Sequence, residues 1–82
     1  MNEIEKARLI GRITMDKEIL TGKPVIRNMR ISVEQVLDML ASGIQPAKII
    51  EEFPFLEADD IKACILYASK LVKEEALYEV HL

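Results

Sequence analysis

The hydrophobic positions change their period near residue 32. Downstream of it, apolar residues recur every three or four positions; upstream they alternate or come in pairs broken by turn residues. The downstream half opens with Ser32-Val33-Glu34-Gln35, a capping box in which Ser32 caps a helix and Gln35 reaches back. Ile31 before the cap and Val36 inside the helix suit a hydrophobic staple. Val33, Val36, Leu37, Leu40 and Ala41 follow at helical spacing, and Gly43 offers a left-handed exit. A second helix begins with Pro46 at its first position, runs through Ile49, Ile50 and Phe53, and stops at Pro54. A third starts near Glu57, with Asp59 and Asp60 suited to the positive end of its dipole. Its apolar stripe is Ile61, Cys64, Ile65, Ala68, Leu71 and Val72, and it is predicted to end near Glu75.

The first 31 residues read differently. Residues 2–11 form a short amphipathic helix, with Ile4, Ala7 and Ile10 on one side. From Arg12 to Ile31, short runs (Ile13, Ile19-Leu20, Val25-Ile26) lie between Asp16, Thr21-Gly22-Lys23-Pro24 and Arg27-Asn28. They predict a small ribbon of two or three strands. Asn28 tolerates positive φ and suits a tight turn. The chain therefore divides, as one domain over 1–82, into a helical segment (1–11), a β ribbon (12–31), a three-helix unit (32–75) and a tail (76–82). The predicted fold class is mainly α: a trihelical helix-turn-helix core with a short N-terminal β ribbon. A generic three-helix bundle has the same spacing.

Composition makes this core lean. Half of the 82 residues are hydrophobic, but only Phe53, Phe55, Tyr67 and Tyr78 are aromatic. Small domains bury a modest share of their surface, and a lone Cys64 cannot form an internal disulfide. The third helix is apolar on most sides, with Leu66 and Tyr67 outside its main stripe. Either the N-terminal helix covers them or a second copy does, and a homodimer through Leu66 and Tyr67 is expected. No apolar run approaches a membrane span or a secretory leader, and a free thiol suits the cytoplasm.

Charge narrows the chemistry. Residues 1–30 carry net +3 and residues 31–82 net −6. No glycine-rich phosphate loop or metal-ligand spacing is present, and the single histidine is penultimate, so no enzyme, metal or cofactor is expected. Asp59-Asp60 and Glu51-Glu52 read as solvated pairs, because adjacent helical positions diverge. Cys64 reads as a core residue.

Asp16, Gly22-Lys23-Pro24-Val25-Ile26-Arg27, Arg30-Ile31-Ser32-Val33, Ala41-Ser42-Gly43, Phe53-Pro54-Phe55-Leu56 and Asp60-Ile61 through Tyr67-Ala68 together resemble the "domain of unknown function 433" family. The resemblance covers about sixty residues, Arg12 to Leu71. It departs at Asn28-Met29, where the family usually has Gly-Thr, and at Gln45 and Glu57, which replace Ser or Thr caps. It implies a homeodomain-like helix-turn-helix core and an antitoxin role beside a PIN-like ribonuclease toxin. Two activities follow as expectations. One is neutralisation of a toxin, with the alternating tail residues Tyr78, Val80 and Leu82 docking on a partner's sheet edge. The other is operator DNA binding through Lys23, Arg27 and Arg30, helped by Arg8 and Arg12, with Lys62, Lys70 and Lys73 secondary. Three carboxylates at the start of the third helix oppose a DNA-reading role there. Pairing of the arginines with the acidic body of the chain, and a plain self-associating domain, are the alternatives.

Overall fold

The computed structural model describes the backbone of residues 1–80 and the side chains of residues 1–75. Over the described residues it is mainly helical, with four α-helices and one two-stranded antiparallel sheet: α1 (Glu3–Ile10), β1 (Ile13–Thr14), β2 (Val25–Ile26), α2 (Val33–Ala41), α3 (Pro46–Glu52) and α4 (Ala58–Val80).

Capping fixes the helix ends as the side-chain chemistry requires. The Ser32 hydroxyl accepts from the Gln35 amide at 3.0 Å, and the Gln35 side chain accepts from the Ser32 amide at 3.0 Å. At the other end Gly43 adopts φ +89°. The Gly43 amide donates to the Leu40 carbonyl and the Ile44 amide to the Met39 carbonyl, a complete Schellman motif. A Cβ on Gly43 would meet nothing within 4 Å, so conformation and not space requires glycine there.

The ribbon is shorter than its sequence suggests. Ile13 pairs with Ile26 and Thr14 with Val25, and a single bridge joins Val25 to Ser32. The expected strand at Ile19-Leu20 is absent. Leu20, Thr21 and Gly22 instead take φ of 46°, 56° and 85°, a left-handed turn closed by Gly22 and Lys23 amides on the Ile19 and Leu20 carbonyls. Asp16 starts this reversal by accepting from the Glu18 amide at 2.8 Å. The second reversal is the predicted one at Asn28. Arg27 and Asn28 both have positive φ (44° and 57°), the signature of a type I′ turn, and the Met29 amide donates to the Ile26 carbonyl.

The core is aliphatic. Ile26 and Ile31 from the ribbon pack with Val33 and Val36 of α2, Ile49 of α3, Leu56, and Ile61 and Cys64 of α4. Ile31 and Val36, the staple pair, are both within it. α1 lies along α4 and buries Leu9. That corrects the expected α1 face: Ile4 is 82% exposed, because the helix turns its Leu9 edge inward. α4 also corrects its predicted end. Glu74-Glu75-Ala76-Leu77 contain neither Gly nor Pro, and the helix continues to Val80, so the 76–82 tail is not a strand as far as Val80. Among the described residues no helix is long and apolar enough to cross a membrane.

Candidate functional site

The type I′ turn aims Arg27 at the first turn of α4. The Arg27 amide donates to the Arg12 carbonyl at 2.8 Å, which holds the two arginines side by side. Both converge on Asp60, whose side chain is wholly buried. Arg27 grips it bidentately, Nε to Oδ1 at 3.0 Å and Nη2 to Oδ2 at 2.8 Å, and donates also to the Phe55 carbonyl at 2.9 Å. Arg12 donates to Asp60 at 2.9 Å and to Glu57 at 2.6 Å. The Glu57 amide donates to Asp60 Oδ2 at 2.8 Å, so Asp60 closes the N-terminus of α4 from its third position. Arg8 of α1 pairs with Asp59 at 3.2 Å.

This cluster links α1, the ribbon and α4 through charge. Burial alone would raise the Asp60 carboxyl. The hydrogen bonds from Arg27, the Glu57 amide and Arg12 outweigh it and hold Asp60 below the usual carboxylate value. The Arg12 guanidinium is raised by its hydrogen bonds to Glu57 and then Asp60, and that of Arg27 by its hydrogen bond to Asp60. Next to them, burial and then the Asp60 charge push the Cys64 thiol up to about 12, consistent with its place in the core.

Two expectations change here. Asp59-Asp60 is not a solvated pair. The long Arg12 fork reaches both carboxylates, Asp60 at 2.9 Å and Asp59 at 3.8 Å, across the divergence of adjacent helical positions. The arginine set is also divided: Arg8, Arg12 and Arg27 face the chain's own acids, whereas Lys23 makes a 3.3 Å exposed pair with Glu34 and Arg30 makes none among the described residues. Asp60 itself was the missed residue. Its position three after the Glu57 cap was the legible signal.

The other half of α4 presents a different surface. Leu66 and Tyr67 are half-buried. Leu66 shares a groove with Ala7 and Ile10 of α1, and Tyr67 packs against the core. The stripe assigned to the interior is only partly inside: Ile65, Leu71 and Val72 are 50%, 42% and 64% exposed. α4 has 23 residues, and α1, α2 and α3 have 8, 9 and 7. Ile65 and Val72, seven residues apart, lie on one side of α4, between the flank that meets α1 at Leu66, Ser69 and Lys70 and the flank that meets α2 at Tyr67, Ala68 and Leu71. Leu71, Tyr67 and Ala68 line an apolar groove of about 300 Å³ with Leu37 and Val33 of α2, edged by Glu34, Asp38 and Lys23. Tyr78 and Val80 fall in the helical backbone of α4, their side chains lie outside the described residues, and Leu82 lies wholly outside them. Among the described residues no three His, Cys, Asp or Glu side chains are grouped to hold a metal ion.

A small helical module with a charge-locked helix start and an uncovered apolar helix face is what the geometry defines. Residues 13–68 match the family described as "Protein of unknown function (DUF433)", and the chain belongs to that family. It is 32% identical over 68 residues to the uncharacterized protein y4eO of Sinorhizobium fredii (strain NBRC 101917 / NGR234), a match covering 83% of this chain. The matched region spans 30% of that relative's length. No solved structure matches the chain.

Proposed function

We propose that this protein is an antitoxin-like interaction module that binds and neutralises a partner toxin, a PIN-like ribonuclease, through the uncovered face of α4. The observation that carries this is the exposure of Ile65, Leu71 and Val72 along one helix whose other end is closed by ion pairs. An apolar face of that kind is characteristic of protein-binding surfaces, because its exposure to water is unfavourable. α2, α3 and α4, joined by the tight turns at Gly43 and Phe53–Glu57, are read as a homeodomain-like helix-turn-helix unit. The same face also suits a homodimer, which would enlarge a lean core.

The test is co-expression with the product of the adjacent gene. Ribonuclease activity should be suppressed by the wild type and restored by Val72→Glu. Unchanged ribonuclease activity in the presence of wild-type protein would refute the antitoxin assignment.

Operator binding is a second reading, and one observation favours it. Each carboxylate at the start of α4 faces an arginine, which removes the repulsion that a phosphate backbone would meet there. The same pairs withdraw Arg8, Arg12 and Arg27 from phosphate, and α1 clasps one side of α4. DNA contact then rests on Lys23 and Arg30. A gel shift at low salt checks it: equal retention by wild type and by the Lys23→Ala, Arg30→Ala double variant would refute this reading.

A further inference from the structure

We infer that the groove between α1 and α4 receives an acidic amphipathic segment of a partner protein, with an aliphatic side chain seated on Ala7, Ile10 and Leu66 and flanking carboxylates on Lys70 and Lys73. The inference rests on the protein-binding reading above and adds the chemistry of what is bound. α1 runs back along α4, since Arg8 meets Asp59 at the start of α4 while Glu3 and Lys6 share the groove with Lys70 and Lys73 about three turns further on. The space between the helices is about 300 Å³, with an apolar floor and a mainly basic rim.

The basic rim stands out against the rest of the chain. Residues 31–82 hold ten acids and only four basic residues, and three of those four are Lys62, Lys70 and Lys73 on α4. Lys62, Leu66, Ser69 and Lys73 follow at intervals of four, three and four, which places them on one helix face. Among the described residues none of these three lysines is paired with a carboxylate, unlike Arg8, Arg12 and Arg27. Lys6 is held at 3.4 Å by Glu3, so Lys70 and Lys73 carry the available charge. The groove on the opposite flank of α4, beside Glu34 and Asp38, has the reverse tendency and would reject the same segment. A phosphate backbone would use the lysines but not the aliphatic floor, so a protein segment fits better than a nucleic acid.

The probe is a fluorescently labelled synthetic helical peptide with a leucine stripe flanked by glutamates, titrated with the full chain and followed by anisotropy. Wild-type protein should bind it, and Lys70→Glu, Lys73→Glu should weaken binding about tenfold, the scale of two reversed exposed pairs. A peptide with lysines in place of the glutamates should prefer the double variant, a rescue that a folding defect cannot produce. Three results would overturn the inference: equal binding by the variant, equal binding of a glutamate peptide lacking leucines, or tighter binding of a DNA duplex at the same salt. Failure here is separable from failure of the antitoxin reading. If Val72→Glu releases the adjacent gene's product and Lys70→Glu, Lys73→Glu does not, the protein-binding reading stands and the groove assignment falls.

Discussion

The two ends of α4 follow opposite rules. Its first turn is held by three arginines from other elements, its N-terminal backbone amide is satisfied, and its central carboxylate is sealed from water. Among the described residues its later turns carry exposed aliphatic side chains, Leu71 and Val72. The difference lies in what each end needs. A buried carboxylate is stable only with several donors in fixed positions, so the first turn is committed to the domain's own architecture. An exposed apolar face imposes no such geometry and remains open to a partner. The charge at the start of α4 is structural.

The largest expected effect comes from breaking the locked end. Asp60→Ala leaves Arg12 and Arg27 without their shared acceptor and α4 without its closing carboxylate; urea unfolding should show a loss of about 3–5 kcal/mol. Acid should act on the same group. Because the folded carboxyl is held below its unfolded value, its contribution is present above about pH 4. That contribution should fade as pH falls through the lower folded value. A pH series on wild type and Asp60→Asn should therefore converge in acid, and parallel curves would place the acid-sensitive group elsewhere.

Arg27 sharpens the comparison, because it combines the ion pair with a left-handed backbone. Arg27→Ala should lose the pair and keep the strain, whereas Arg27→Gly loses the pair and removes the strain. The glycine variant should be the more stable of the two by about 1 kcal/mol in the same unfolding assay. Gly43→Ala, at φ +89°, should cost about 1–2 kcal/mol without touching either end of α4. The smallest stability effect belongs to the open end. Val72→Ser should change unfolding free energy by less than about 0.5 kcal/mol. The same substitution should weaken capture of the adjacent gene's product, a separation of stability from binding that Asp60 variants cannot show.

Much of the fold was legible in advance because helix ends are local. Ser32 and Gln35, Gly43, Pro46 and Pro54 each act within a few residues, and each boundary they predict is found within a residue or two. The ribbon was less legible, since Ile19-Leu20 reads as a strand until Asp16 and Gly22 turn it left-handed. The candidate site was hardest. Charge counting separated a basic head from an acidic body without showing that Arg12 and Arg27, 48 and 33 residues from Asp60, would close on it.

Short-range sterics and periodicity place the helix starts, the caps at Ser32 and Gly43, the aliphatic character of the core and the turn at Asn28. Which charges are partners and which apolar residues stay outside depends on how the elements pack. Arg8, Arg12 and Arg27 pair with Asp59, Glu57 and Asp60 of the same chain, and Ile65, Leu71 and Val72, expected in the core, lie at the surface. The physical reason is that burial and pairing belong to positions in space. A carboxylate and an arginine meet through the packing of elements far apart in the chain, and α1 and α2 cover two sides of α4 while leaving Ile65 and Val72 on a third.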